Sequence, residues 1–229
     1  MTNAKITKNS TSSEGSIKEI LTVAFPLIIA SATHTVLTFT DRMFLSWYSA
    51  DCIAASGPAS ILSYSFICFF IGTGTYLNTI IAQYSGAKKR FYITKALWQG
   101  IYFGLLSSAA IVMLIPAGNM FIAHSEHGKQ VIILEKSYFS LLMYGGGLAV
   151  MGSVFSSFFS GRGRTRPVMI ITLISTTINI LLDYILIFGK FGFPALGIVG
   201  AGIATLLSHS IALILFASFF FQYNCCYRF

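Results

Sequence analysis

Long uncharged, apolar runs make up most of the chain, and the charged residues fall between them. The intervals Asp51 to Lys88, Lys95 to Glu126, Lys136 to Arg162 and Lys190 to Arg228 hold 36, 30, 25 and 37 uncharged residues. About 20 apolar residues carry a helix across a bilayer, so each interval predicts one span. Two further apolar runs, Lys18 to Tyr48 and Arg166 to Gly189, carry charges inside them and predict two more. The expected spans are 18–48, 54–86, 96–120, 138–160, 167–189 and 196–222, with a tail over 1–17 and a short one over 223–229. In lipid every backbone amide needs an internal partner, which makes these spans helices. The strict alternation and closely spaced turns of a membrane β-barrel are missing. The fold class expected is an all-α membrane protein, a six-transmembrane-helix bundle.

Composition agrees. Of 229 residues, 55% are hydrophobic and 10% charged, with a mean hydropathy of +0.76. A soluble domain carries roughly 25% charged residues, so a soluble enzyme and a disordered chain are both excluded. The formal charge of +8 does not point to nucleic acid, because the basic residues are short clusters at span ends. One side of the membrane collects Lys5, Lys8, Lys18, Lys88, Lys89, Arg90, Lys95, Arg162, Arg164, Arg166 and Arg228, and the other Lys129, Lys136 and Lys190. The positive-inside rule therefore predicts a multi-pass plasma (inner) membrane protein with both termini cytoplasmic. The polar stretch Met1 to Gly15 reads as an uncleaved tail, since the apolar run after it is too long for a signal peptide. Cys52, Cys68, Cys225 and Cys226 show neither zinc spacing nor a disulfide framework.

Ionisable residues inside a span cost roughly 2.5–3.5 kcal/mol on insertion scales and mark functional sites. Here they are Asp41 and Arg42 in the first span and Asp183 in the fifth. Asp41 lies seven residues before Tyr48, and Asp183 seven before Lys190. At 1.5 Å per residue both sit roughly 10 Å below the outer surface. Two helices thus present carboxylates at matching depth. His34 and Thr38 share the stripe of Asp41, Asn179 lies one turn deeper than Asp183, and Thr205 of the sixth span has a similar depth. Such a cluster of Asp, Asn and Thr oxygens suits reversible binding of H⁺ or a hard cation such as Na⁺. The competing account has Asp41 and Arg42 neutralising each other near the interface, with Arg42 snorkelling outward and Asp183 capping a broken helix.

Four stretches carry a resemblance. They are FPLIIASATHTVLTFTDRMFLSWY from Phe25, QYSGAKKR from Gln83, SGRGRTRPVM from Ser160 and NILLDYILIFGKFGFPALGIVGAGIAT from Asn179. In this order and spacing the chain, from about Ile17 to Ala217, resembles the multidrug and toxic compound extrusion (MATE) transporters of the NorM-like branch. The resemblance implies one lobe of a twelve-helix fold, whose two six-helix lobes face a central cavity. It implies a secondary active multidrug efflux antiporter that exchanges cationic, aromatic small-molecule drugs for H⁺ or Na⁺ and needs no cofactor. The matching cation- or proton-binding residues are Asp41, Asn179, Asp183 and Thr205. Pro26 matches a first-helix proline at which members bend, and a proline there removes a helix hydrogen bond. Where many relatives carry Gln the chain has His34, and where some carry Asn on the fourth helix it has Ser153 or Ser156. These are the expected neighbours of the site. The expected chain is a truncated N-lobe, which pairs with a second lobe or a homodimer mate in the lipid bilayer.

Other features carry less. Gly145, Gly146 and Gly147 in the fourth span read as close helix packing by small residues, with a backbone-lined cavity stretch as the alternative. Gly197, Gly200 and Gly202 open the sixth span in the wrong glycine order for a dinucleotide fingerprint. His124 and His127 stand in an outer loop, and no metal beyond Na⁺ is expected. The aromatic residues pack, face lipid or hold drug cations by cation–π contact. Two readings compete with transport: an intramembrane aspartyl protease, which also needs two aspartates but lacks a GxGD sequence here, and a non-transporting membrane partner subunit.

Overall fold

The computed structural model describes residues 17–226, so 1–16 and 227–229 of the expected tails, including Lys5, Lys8 and Arg228, lie outside the described residues, while 223–226, expected as tail, continue the last helix. The described chain is all helix and turn: α1 (Ile17–Tyr48), α2 (Ala50–Gly86), α3 (Arg90–Met113), α4 (Ile115–Ala123), α5 (Lys129–Ser160), α6 (Thr165–Phe188) and α7 (Ile198–Cys226). They amount to six stretches long and apolar enough to cross a membrane, with α3 and α4 forming one of them. Lys88, Lys89, Arg90 and Arg162 to Arg166 lie at one end, called here the basic end, and Tyr48 and Phe188 lie at the opposite one.

Two helices differ from expectation, each for a local reason. The third span, expected unbroken over 96–120, breaks at Leu114. Pro116 has no N–H to give and its ring clashes with the preceding turn, so the chain restarts with proline in the first turn of α4. The fourth span begins at Lys129 instead of 138. Lys129, Glu135 and Lys136 interrupt the uncharged interval, yet the helix runs through them because Glu135 is buried against its neighbours.

α5 is the hub, packed against α2, α3, α4 and α7, and more lightly against α6, while α1 lies against α6 and α2. Half of the most apolar window of α5 is buried inside the lobe, against 6% for α1. The central helix can approach so many partners because its glycines carry no side chain. A Cβ on Gly146 would stand 2.6 Å from Ile67 Cδ1 of α2, and one on Gly147 2.5 Å from Ser108 Oγ of α3. This is the close packing expected of the triad. Phe155, Phe158 and Phe159 of α5 meet Phe216 and Phe220 of α7 edge-on or stacked near the basic end. A second apolar cluster around Leu45, Phe139, Met143 and Ile187 fills the opposite half.

Several hydroxyls inside the spans are satisfied within their own helix. The hydroxyls of Thr33, Thr38, Thr40, Ser65, Thr73 and Thr177 each donate to the carbonyl four residues back. That bond lets a hydroxyl sit in an apolar medium at little cost. At the opposite end Ser49 caps α2 by accepting from Asp51 N–H at 3.2 Å. Gly189 ends α6 with φ +66°, a left-handed cap that glycine adopts without strain.

Candidate functional site

α1 and α6 lie side by side, and that contact brings Asp41 against Asp183. The two carboxyls stand close enough for a proton on one to be shared with the other. Asp183 is fully buried and Asp41 partly so. Both Asp183 oxygens and Asp41 Oδ1 receive no N–H or O–H from other described residues. Asn179, one turn from Asp183, is fully buried as well. Its Nδ2 donates to Ser208 Oγ of α7 at 3.2 Å, while its Oδ1 has no donor. Four buried acceptor oxygens within two turns thus lack a proton donor. A buried acceptor without a donor costs roughly 1–3 kcal/mol, so the arrangement is stable with a proton or a cation among the oxygens.

Two residues that sequence reasoning did not select complete the surroundings. Tyr138 of α5 is buried, lies within electrostatic reach of both carboxylates and of Arg42, and its hydroxyl is hydrogen-bonded with Ser60 of α2. Ser208 of α7 ties Asn179 to the bundle, accepts at its carbonyl from Ser175 Oγ at 2.9 Å, and donates to Thr205 O at 2.9 Å. Neither had a signal in sequence, because Tyr and Ser are common in this chain and only the helix packing gives these two their partners.

The other expected residues are placed as follows. Thr205 donates its hydroxyl to Ala201 O at 3.0 Å, so α7 reaches Asn179 through Ser208 instead. Thr38 donates to His34 O at 3.1 Å. His34 is exposed and within electrostatic reach of Asp41. Ser153 donates to Val150 O at 2.7 Å and packs against Gly74 of α2, and Ser156 is half-buried. Arg42 is exposed and makes no ion pair with Asp41 among the described residues, so mutual neutralisation is not the arrangement found. Pro26 is buried in α1 beside a groove of about 880 Å³ lined by Leu21, Phe25, Ile29, Arg166 and Met169. No group of three or more His, Cys, Asp or Glu among the described residues is placed to hold a metal ion. The donor set at the carboxylates is oxygen, which suits a proton or a hard monovalent cation.

The paired acids on neighbouring helices are the setting for comparison with known proteins. The family model described as MatE matches residues 26–185. The chain belongs to the MatE family. Among its relatives, the probable multidrug resistance protein NorM of Oceanobacillus iheyensis is 35% identical over 206 residues, which is 88% of this chain and 45% of that protein. The protein of the same name from Synechocystis is 31% identical over 194 residues, 85% of this chain and 42% of that one. A crystal structure of MATE in the straight conformation superposes with a TM-score of 0.80 at 25% identity, over 89% of this chain and 45% of that one. The MatE chain thus spans about half the length of the curated relatives it matches. Its six-helix bundle is the fold of a MATE lobe, and its relatives are named as multidrug resistance proteins, not enzymes. A protease reading of the two aspartates finds no support in this family.

Proposed function

We propose that this chain supplies one lobe of a secondary active antiporter of the inner membrane, with both termini cytoplasmic, that exports cationic aromatic drugs in exchange for H⁺ or Na⁺. The reading rests on one observation above all. Asp41 and Asp183 face each other from different helices with no other donor to Asp183. With one proton or one Na⁺ the pair holds a single negative charge or less, and α1 and α6 stay together. Emptied, it holds two, and like charges in a low-dielectric site repel strongly. Ion occupancy therefore biases the packing of α1 on α6, which is the differential interaction that a conformational change requires. The groove beside Pro26 gives the basic half of α1 room to bend, at a residue that already lacks one helix hydrogen bond. Drug and ion then compete through one equilibrium.

The test has two readouts. In the purified chain in lipid nanodiscs, infrared difference spectra are expected to show a protonated carboxyl band that disappears with rising pH or on adding Na⁺. That band should be absent from both Asp41→Asn and Asp183→Asn. In cells lacking their own efflux pumps, with this lobe carried in a full-length relative, either variant should lower export of a fluorescent aromatic cation by about tenfold or more, the scale of one lost charge interaction. Unchanged export in both variants defeats the assignment.

A further inference from the structure

We propose that the groove between α1 and α6 at the basic end binds one anionic phospholipid, with an acyl chain lying along the groove and the phosphate held by Arg166. The site is separate from the carboxylate pair. Ile29, its deepest residue on α1, precedes Asp41 by twelve positions, roughly 18 Å of helix.

The walls decide what fits. Ile17, Leu21, Phe25 and Ile29 recur at four-residue spacing on one face of α1, and Met169 and Ile170 of α6 line the same groove. Apart from Thr22 and Arg166 its walls are apolar. Ile17, Leu21, Phe25 and Ile170 are exposed, so the groove is open to its surroundings. From Ile17 to Ile29 it follows α1 for twelve residues, again roughly 18 Å. The hydrocarbon layer of one leaflet is half of about 30 Å. The groove therefore has the length and the apolar character that an acyl chain of one leaflet needs.

Arg166 supplies the polar end. It lies in the first turn of α6 and is exposed. An arginine covers apolar wall with its methylenes while its guanidinium stays at the polar boundary, and the guanidinium fork matches a phosphate with two parallel hydrogen bonds. Arg162 and Arg164 precede it in the turn between α5 and α6, and no acid stands between Lys136 and Asp183 in the sequence. The first turn of α1 adds one base and one acid, Lys18 and Glu19, which cancel in formal charge. This end of the groove is thus positive, and basic residues at a membrane surface attract anionic lipid. A cationic drug meets a like charge here. A protein surface would need an acid set opposite Arg166, whereas a phospholipid brings chain and anion in one molecule.

The site also touches the hinge. Pro26 lines the same groove, so a seated chain fills the space into which the basic half of α1 would bend. Lipid and bend then exclude each other, each weakening the other by the same factor. This consequence, unlike the binding itself, rests on the antiport reading above.

The test uses the whole chain in nanodiscs, with Trp47→Phe and Trp98→Phe as background and Phe25→Trp as reporter. Chain-brominated phosphatidylglycerol is expected to quench that reporter with about fivefold higher apparent affinity than chain-brominated phosphatidylcholine, the scale of one basic residue at a membrane surface. Arg166→Gln should reduce the preference to about onefold, and Arg166→Lys should keep part of it. A reporter at Leu106→Trp, on an exposed position of α3, should show no preference. Equal preference at both reporters, or a preference that survives Arg166→Gln, overturns the proposal. So does loss of quenching on adding glycerol phosphate, which would assign the site to a free phosphate. Ile170→Trp replaces the reporter should Phe25→Trp fail to elute as a folded species. Pro26→Ala, which restores the missing helix bond, is expected to keep or raise the preference, and a fall would overturn the exclusion between lipid and bend. Binding is read without drug or coupling ion, so its failure is distinct from unchanged efflux in the aspartate variants.

Discussion

Glu135 is nearly fully buried, and its ion-pairing partner among the described residues is the imidazole of His127, a side chain that is itself almost half exposed. His127 Nδ1 lies 2.9 Å from Oε1, and a proton on that nitrogen makes it the donor Oε1 otherwise lacks. The contact pins the turn between α4 and α5 to the buried face of α5. Removing one partner of such a pair costs more than neutralising it, because it strands a charge. His127→Ala is therefore expected to lower stability in detergent by about 1–3 kcal/mol, and Glu135→Gln by clearly less. Denaturation of both single variants and the double variant checks this. A His127→Ala loss no larger than that of Glu135→Gln would show that the clasp does not hold the turn. Asp41 and Asp183 announced themselves in the sequence because an acid in a span is costly. Glu135 did not, because it sat among Lys129 and Lys136 at what looked like a loop.

At the scale of whole helices, α7 is held to α6 by backbone approaching backbone. A Cβ on Gly200 would stand 2.8 Å from the carbonyl carbon and oxygen of Leu186, and a main chain cannot rotate aside as a long side chain can. Gly200→Ala must push α7 outward and disturb the Asn179–Ser208 bond one helix face along. The expected loss is about 1–3 kcal/mol, the range for overpacking. Gly152→Ala on α5 meets nothing within 4 Å and should be neutral or slightly stabilising through better helix propensity. Equal melting temperatures for the two variants would contradict this account. Spans and their order were legible from charge intervals, since a lipid-spanning run tolerates few charges. The register of one helix on another was not. It depends on where a glycine meets a carbonyl, and nothing local to either helix encodes that meeting. This is why Ser208 and Tyr138 emerged only from the packed bundle, and why the hydroxyl of Thr205, expected in the site from its depth and from the family resemblance, is found bonding its own helix.

Across the whole lobe, one exposed face is polar where a lipid-facing surface would not be. On α1 it comprises Ser31, His34, Thr35 and Thr38, and on α2 Ser65, Cys68, Thr75 and Thr79, all exposed. Their spacing follows the helical repeat, so each set is a stripe. Apolar residues flank the stripe on α2 itself, where Ile61 and Phe69 are exposed, and α3 and α4 expose Leu105, Leu106 and Phe121, as lipid contact favours. The carboxylate pair lies between α1 and α6 near one end of the first stripe, so the polar face and the ion site share α1. Such a face belongs toward water or a second lobe. Cys68 is a native reporter of which medium it meets, because it is exposed while Cys52 is buried. In a variant with Cys52, Cys225 and Cys226 changed to Ser, in membranes, a charged, membrane-impermeant thiol reagent is expected to modify Cys68. A cationic aromatic drug should slow that reaction by about threefold or more at saturating concentration, as occupancy of a shared cavity implies. Modification by a lipophilic maleimide alone, with the charged reagent inert, would place the α2 stripe in lipid. The drug-binding cavity would then have to be sought on another face of the lobe.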